Sequence, residues 1–595
     1  MTVRVNTRLK SRPECTGKDF HLAVSLLTKR ISAMVLVLFA MSVFSQILSA
    51  NAQMGKLQLT IIDSTTGETV PARVEIRSED GTFYVAEDAL LVGGDCDMSD
   101  QGAGYVDFAS TLAEFSNQID NPYTQSTQFY SNGKSLVSLP TGTATITVFK
   151  GFEYKVPVDG VEIEAAEVTQ HVINLNRWIN MPQRGWYSSD DHLHIPRPVS
   201  KLNPYISKMM QAEDIHVANL LQMGKVRNFT IAQQHAFGSE GLYQEGSYIL
   251  AAGQENPRTH FLGHTITLGA DQAHHNPQSY LIYRLLWQET EQQGALNGFA
   301  HAYFPNGSIL PPHDGMAVIL PHNLLHFVEV LQFNRSDYET WYDILALGFR
   351  VTPTAGTDYP CGGQTIPGHE RFYTKVEGPL TYENWLEGVR KGHTFVTTGP
   401  LVQFRVNGQE MGSSIVLEEA MPVQLTGSVV FDPERDDLSF IEIIHNGNVI
   451  KRFSRVNASD KIEFTMSHFV NESSWLALRG YGSKPKENWL ATPFHWSSFN
   501  ARSNVHSAPI FVTIKDRPGI EKSERSRTIA TTWLARLEDM ETMLTEDNIE
   551  QLAKKLETPN YDAVPSETLL NNRQELLKEI QTAKDFFKSL SQEAP

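Results

Sequence analysis

The pattern of hydrophobic residues changes three times along this chain of 595 residues, and these changes constrain its fold most. From residue 56 to about 176, apolar and polar residues alternate around turn residues, which is typical of half-buried strands. From about 177 to 400, short apolar strands alternate with helical stretches, which is an α/β signature. Alternation returns from 401 to about 515, and apolar residues recur at helical spacing from 523 onward. The chain is therefore expected to be multidomain.

We predict four folded regions behind a leader segment. Residues 53–176, with KLQLTIIDSTTGETVPARVEI as the clearest stretch, are expected to form a β-sandwich, and residues 401–516 a second one. Residues 177–400 between them are expected to form a separable α/β domain. Residues 517–595 are expected to form a helical tail, whose apolar stripes predict packing faces and no chemistry.

The leader, residues 1–52, predicts export. Lys29 and Arg30 precede the apolar run ISAMVLVLFAMSVFSQIL, and Ala50 and Ala52 form an A-x-A cleavage pattern. An uncleaved anchor is the alternative, because the run approaches the roughly 20 residues that span a bilayer. The small residues favour cleavage after Ala52. The mature protein would then lie in the periplasm or outside the cell, with no integral membrane segment left.

Charge and cysteine content limit the partners and the stabilising chemistry. The formal net charge of −18 argues against nucleic acid as a partner, because phosphate binding needs a basic surface. Only Cys96 and Cys361 would remain after cleavage, too few for a disulfide scaffold. The domains are therefore expected to be held together by hydrophobic cores. The expected substrate is a small molecule or a polymer.

The segment RGWYSSDDHLHIP carries the sharpest chemical signal. Residues two apart on a strand point the same way, so His192 and His194 would present two imidazoles to one side. Such a pair on its own is usually accidental or structural. Carboxyl ends of strands in a β/α barrel converge on one face, however, and mixed imidazole and carboxylate ligands suit zinc, manganese or iron. Four further candidate ligands lie near strand ends of the same region: Glu255, His264, His301 and Asp358.

These residues lie in segments that resemble the PHP (polymerase and histidinol phosphatase) superfamily of metallohydrolases, and more closely its CehA/McbA-like branch. The resemblance covers roughly residues 184–408, in GWYSSDDHLH, GQENPR, LGHTI, AHAY, AGTDYP and GHTFVTTGPLVQFRVNG. It implies a distorted (β/α)7 barrel of PHP type, with metals at the carboxyl ends of its strands. The N-terminal region, in DSTTGETVPARVEI and LPTGTATITV, resembles carboxypeptidase-regulatory-like modules.

The resemblance also implies a metal-ligand set with losses. Three family positions that together bind one ion in three-metal members fall here on Val199, Met223 and Pro360. We therefore expect two divalent ions, with zinc as the first choice and manganese or iron as alternatives. One ion would be held by His192, His194, Glu255 and Asp358, and the other by Glu255, His264 and His301.

The predicted catalytic residues are Asp358, Arg258 and Arg371. Asp358 is expected to accept a proton during attack by water, and a guanidinium near the metals to hold an anionic substrate or the developing charge. Tyr373 is a further candidate beside Arg371, and a structural ion pair is the alternative for either arginine. Five other histidines of the region are replacement ligands or, more simply, loop residues: His235, His274, His275, His313 and His322.

The expected activity is hydrolysis of an ester, amide, carbamate or phosphoester bond by metal-activated water. A degenerate barrel that binds a polymer or a partner without turnover is the alternative, and the three missing ligands support it. The six retained ligands oppose it, because a non-catalytic barrel has little need of two complete sites. A glycosidase would need a second matching acid, which the sequence lacks.

Overall fold

The computed structural model describes residues 53–93, 107–121, 126–165, 167–302, 313–333, 335–361, 366–485, 502–557 and 563–592. The predicted leader and Cys96 lie outside the described residues. The chain is multidomain and rich in β-sheet, with its long helices at the C-terminal end. Within the described ranges, no helix is both long and apolar enough to cross a membrane.

In its described residues, the N-terminal region contains one short helix, α1 (Phe108–Ala113), and eight strands: β1 Met54–Asp63, β2 Ala72–Ser78, β3 Ile119–Asn121, β4 Ser126–Ser131, β5 Lys134–Pro140, β6 Gly142–Phe149, β7 Val158–Ile163 and β8 Val168–Leu175. One sheet has the order β5-β1-β8 and the other β3-β4-β2-β6-β7. Leu57, Leu59 and Ile61 of β1 point into the core between the sheets, as the period-2 pattern predicts. The arrangement is sandwich-like.

The described part of the middle region contains twelve strands: β9 Trp186–Leu193, β10 Val217–Lys225, β11 Asn228–Ile231, β12 Tyr243–Glu245, β13 Tyr248–Thr259, β14 Gly263–Leu268, β15 Leu296–Phe299, β16 Phe327–Gln332, β17 Arg335–Ser336, β18 Thr352–Ala355, β19 Arg371–Lys375 and β20 Thr394–Thr397. Its α-helices are α2 Asn203–Ala212, α3 Tyr283–Glu291, α4 His313–Ile319, α5 Tyr338–Ala346 and α6 Tyr382–Arg390. Asp337 and Thr381 cap the amino ends of α5 and α6 through their side-chain oxygens.

Strand pairing in this region departs from the expected (β/α)7 barrel. β10 is parallel to β9 and β13, and β16 is parallel to β15 and β18. Antiparallel pairs interrupt this order at β13–β14, β14–β15 and β9–β19. Residues 260–262 alone join β13 to β14, which is far too short for the crossover that a parallel pair requires. The sheet is therefore mixed, and a regular seven-unit barrel is not what the pairing shows.

The second β region contains β21 Leu401–Val406, β22 Gln409–Glu410, β23 Ser414–Leu417, β24 Met421–Val430, β25 Phe440–His445, β26 Asn448–Ser454, β27 Lys461–Val470, β28 Ser474–Pro485, β29 Arg502–Ser507 and β30 Ile510–Ile514. Four of these strands form a sheet in the order β22-β21-β24-β27. Among the other strands, β25, β29 and β30 each pair with β28, and β29 also pairs with β20 of the middle region. The strands around β28 are thus continuous with the sheet of the middle region.

Within 517–557 and 563–592, the C-terminal part that the structure describes, the α-helices are α7 Glu524–Met543, α8 Ile549–Leu556 and α9 Ser566–Gln592. Trp533 and Phe587 on their apolar faces are buried in the same core as Trp287 and Trp341 of the middle region. The predicted stripes are therefore packing faces, and the surface that they cover belongs to the middle region.

The N-terminal region also shares a core with the middle region. Tyr130 of β4 packs in one apolar cluster with Leu193 of β9 and Met210 of α2. Arg73 Nε lies 2.6 Å from Glu213 Oε1 in an ion pair that is almost fully buried. Strand β9, which carries candidate ligands, therefore packs against residues of the N-terminal region.

Candidate metal centre

Strand β9 brings two imidazoles together at its carboxyl end. His192 and His194 are 0% and 2% exposed, and their Nε2 atoms lie 3.0 Å apart. The buried Asp190 carboxylate organises the surrounding backbone, because it accepts hydrogen bonds from the N–H groups of His192, Thr357 and Gly368. The i, i+2 spacing therefore places both rings on one side, as expected from the sequence.

Asp358 joins this pair from the turn after β18. Its backbone N–H donates to the His192 carbonyl at 2.8 Å. Its Oδ1 lies 3.0 Å from His194 Nε2 and 3.4 Å from His192 Nε2. The residue adopts a left-handed conformation with φ of 63°, which aims its carboxylate at the imidazoles.

Glu255 on β13 lies between two groups of histidines. Its Oε2 is 3.4 Å from His194 Nε2 and 3.9 Å from His192 Nε2. Its Oε1 is 2.8 Å from His264 Nδ1 and 3.8 Å from His301 Nε2. One buried carboxylate thus faces both groups with different oxygens.

We name these sets the first and second ligand groups. The first ligand group consists of His192, His194, Asp358 and Glu255 Oε2. The second ligand group consists of Glu255 Oε1, His264 and His301, and the two imidazoles of this group lie 3.1 Å apart. Three-residue subsets of both sets place their ligand atoms within 4.8 Å of one another.

The donor spacing fits a divalent metal. Tetrahedral ligands about 2.0–2.1 Å from zinc lie about 3.3 Å from each other. The measured separations in the first ligand group run from 3.0 to 3.9 Å, and those in the second from 2.8 to 3.8 Å. Burial acts to raise the pKa of Glu255, but Arg258 and His264 outweigh it and hold that pKa well below its usual value. The bridging carboxylate is therefore ionised and suited to a cation.

Glu329 supports both ligand groups, and the sequence analysis did not identify it. Its carboxylate lies 3.1 Å from His192 Nδ1 and accepts a hydrogen bond from the His301 N–H at 2.7 Å. His194 Nδ1 lies 3.0 Å from the Leu221 carbonyl oxygen. The imidazoles of His192 and His194 are therefore both held through Nδ1, which leaves the Nε2 atom of each ring facing the other donor atoms of the first ligand group. The sequence signal that could have identified Glu329 is its position as an acidic residue inside the buried strand FVEVLQ.

Neither a protein-family model nor a curated protein matches this chain. Among solved structures, it resembles a two-domain protein of Bacteroides vulgatus ATCC 8482 described as containing a predicted PHP-like metal-dependent phosphoesterase, with 11% identity and a TM-score of 0.28, over 54% of this chain and 95% of that one. It also resembles GBS52, the minor pilin of Streptococcus agalactiae, with 14% identity and a TM-score of 0.14, over 22% of this chain and 46% of that one. At these scores neither likeness carries an argument.

The structure separates the two predicted arginines. Arg258 lies beside the two ligand groups, with Nε 3.4 Å from Glu255 Oε2 and Nη1 3.2 Å from Met223 Sδ. Arg371 lies elsewhere: its guanidinium donates to backbone carbonyls, including that of Glu213, and stacks on Phe152. These contacts join the N-terminal and middle regions and include none of the residues of the two ligand groups. The catalytic role of Arg371 stays a prediction.

Tyr373 also lies away from the ligand groups. Its hydroxyl is 3.1 Å from Glu153 Oε1, and its ring stacks on Phe395. It therefore serves the contact between the N-terminal and middle regions, as Arg371 does.

The alternative ligands have other partners. His274 lies 3.3 Å from Glu289, His275 stacks on Phe229, and His322 lies 2.7 Å from Glu579. Among the described residues, none of the histidines at 235, 274, 275 and 322 belongs to a set that could hold a metal, and the side chain of His313 lies outside them.

Cys361 and the three positions where the resemblance implies lost ligands add no thiolate, imidazole or carboxylate donor to the first ligand group. The Cys361 sulfur lies within 4.8 Å of donor atoms of His194 and Asp358, but it is disulfide-bonded and is therefore not a thiolate ligand. Met223 is buried in a small apolar cluster with Cys361. Val199 is half-buried against an apolar core, and neither Val199 nor Pro360 has a side-chain donor atom to offer a metal.

Proposed function

We propose that this chain is an exported, metal-dependent hydrolase with a PHP-like centre of two divalent ions. The observation that carries the proposal is the spacing of the buried donor atoms in the two ligand groups, which matches the edges of a tetrahedron around a metal. The segments that resemble the CehA/McbA-like branch support the same proposal. Zinc is the proposed ion, with manganese or iron as alternatives.

The proposed chemistry is hydrolysis of an ester, amide, carbamate or phosphoester bond. A pair of ions of this kind supplies a hydroxide near neutral pH and polarises a substrate oxygen. The bridging role falls to Glu255, because its two oxygens face different ligand groups.

Asp358 and Arg258 are the proposed catalytic side chains. The Asp358 side chain is 16% exposed, whereas those of His192 and His194 are at most 1% exposed, so it is the part of the first ligand group that a substrate reaches. Burial raises its pKa, but His192 and His194 outweigh this and keep the pKa low, so the carboxylate is available to accept a proton. Arg258 places a fixed positive charge beside Glu255, where it would stabilise negative charge on a substrate.

Metal analysis and a substrate screen test the proposal. The purified chain, loaded with zinc or manganese, is offered ester, amide and phosphoester substrates with and without chelator. We expect about two ions per chain and chelator-sensitive hydrolysis that Asp358→Asn abolishes. Asp516→Asn is the matched control, because Asp516 is an exposed aspartate with a similar φ of 59°.

One result would overturn the proposal. A folded chain that binds no metal and hydrolyses none of the three bond classes would instead indicate a degenerate barrel that binds a partner without turnover.

Export is proposed on the leader alone. The order of basic residues, apolar run and A-x-A pattern supports cleavage after Ala52, with a mature chain that begins at Gln53. Amino-terminal sequencing of the exported chain tests this. Intact Met1 in a cytoplasmic fraction would contradict it.

A further inference from the structure

The turn that carries Asp358 also contacts the N-terminal β region. Tyr359, the next residue, is 5% exposed, and its hydroxyl donates to the Gly93 carbonyl oxygen at 3.0 Å. Gly93 belongs to the N-terminal region, 266 residues away in sequence. A hydrogen bond to a backbone carbonyl at this distance ties the turn to that region.

The backbone of the same residue touches the metal centre. The Tyr359 carbonyl accepts a hydrogen bond from the His194 N–H at 2.6 Å. One residue earlier, the Asp358 N–H donates to the His192 carbonyl at 2.8 Å. A displacement of Tyr359 would therefore move two imidazoles and one carboxylate of the first ligand group together.

A second contact links Gly93 to the residue that follows His194. An added Cβ at Gly93 would lie 2.6 Å from Ile195 Cγ2, so the Ile195 side chain packs against the Gly93 backbone at a distance that only glycine allows. Phe115 and Tyr130 of the N-terminal region share an apolar core with Leu193 and Ile195, the two neighbours of His194. The N-terminal region thus supports the strand by packing as well as by the hydrogen bond.

The contacts described for the second ligand group lie within the middle region. His264 and His301 are held by Glu255 and by the Glu329 carboxylate, all within the middle region. The backbone of the Asp358 turn needs support, because a left-handed conformation is unfavourable for a residue other than glycine. The hydrogen bond from Tyr359 to Gly93 can therefore be tested by comparing the two ligand groups.

We propose that the N-terminal β region is part of the metal centre, and that Tyr359 is a positioning residue through which Gly93 holds the first ligand group. The inference rests on the proposed metal binding and goes beyond it. It assigns to an apparently accessory region the role of setting the affinity of the first of two metal sites more strongly than that of the second.

The test uses the full chain without thiol reductant, so that the Cys361 disulfide stays intact. Cobalt(II) or zinc is titrated in competition with a chelator to obtain the affinity of each site. We expect Tyr359→Phe to weaken one site by about tenfold and to leave the other within about twofold, because outer partners of metal ligands tune affinity to this extent. Gly93→Ala, which pushes on Ile195, is expected to weaken the same site.

Tyr338→Phe is the matched control. Tyr338 is also a buried tyrosine whose hydroxyl crosses between regions, to Asn504 Oδ1 at 2.7 Å, but it has no contact with the ligand groups. It should leave both affinities unchanged even if the melting temperature falls.

The outcomes separate this inference from the proposed function. A wild-type chain that binds no metal overturns both. If the wild type binds two ions and Tyr359→Phe and Gly93→Ala bind both as tightly as it does, metal binding stands and the positioning role is overturned. Equal weakening of both sites overturns the selective connection as well.

Discussion

The bridging position of Glu255 makes its replacement the sharpest test of the metal centre. Its Oε2 lies 3.4 Å from His194 Nε2 and its Oε1 2.8 Å from His264 Nδ1, so one side chain belongs to both ligand groups. Glu255→Ala removes a donor from each group at once. His301→Ala removes a donor from the second ligand group alone, because His301 contacts Glu255 Oε1 and His264 Nδ1.

The expected size of the effect follows from burial. Glu255 is 1% exposed, and removal of one partner from a buried charged pair costs about 3–5 kcal/mol. This corresponds to roughly two to four orders of magnitude in a dissociation constant. We therefore expect Glu255→Ala to lose both ions during dialysis. His301→Ala should weaken one ion and retain the other, although water can fill the vacated position and reduce the loss.

Elemental analysis after dialysis against a chelator of known affinity measures the outcome. Glu442→Ala is the matched control, because Glu442 is equally buried but pairs with Arg452 and Arg479 far from the ligand groups in sequence. Retention of one tightly bound ion by Glu255→Ala would refute the bridge. Three ions in the wild type would show that the two ligand groups do not account for all the metal that the chain binds.

Three other perturbations address the support of the site and of the fold. Glu329→Gln should weaken metal binding by about 10–100-fold, measured by chelator competition, because the carboxylate orients His192. Phe587→Ala should lower the free energy of unfolding by about 3–5 kcal/mol in denaturant titration, because the ring is fully buried in the core shared with the middle region. Burial opposes ionisation of Asp214, but the positive charge of Arg177 outweighs burial and lowers the pKa of Asp214. The ionised carboxylate therefore stabilises the fold at neutral pH, and this stabilisation is lost as the pH falls below about 4. Asp214→Asn should make the free energy of unfolding less dependent on pH in that acidic range.

Much of the local structure could be predicted because it depends on short-range periodicity. The alternation in β1 predicted which residues point inward, and the spacing of Trp533 and Leu537 predicted one face of α7. The i, i+2 spacing of His192 and His194 likewise predicted that both rings face one side. Each of these features could be predicted because it depends only on residues that lie close together in the sequence.

The strand order could not be predicted in the same way. Family resemblance implied a (β/α)7 barrel, but the antiparallel β13–β14 pair depends on the three-residue connection 260–262 and on its partners across the sheet. The helical tail also proved to cover the middle region, which its own periodicity does not reveal.

The sequence by itself determined which side chains offer metal donors and which faces of strands and helices are apolar, since residue chemistry and local period suffice for both. Only the tertiary structure decided that Arg258 reaches Glu255 whereas Arg371 turns to backbone carbonyls. It also decided that Glu329, 137 residues from His192, holds that imidazole. The physical reason is that such contacts depend on chain crossings between distant segments, and a side chain's type does not record which distant partner the fold will bring to it.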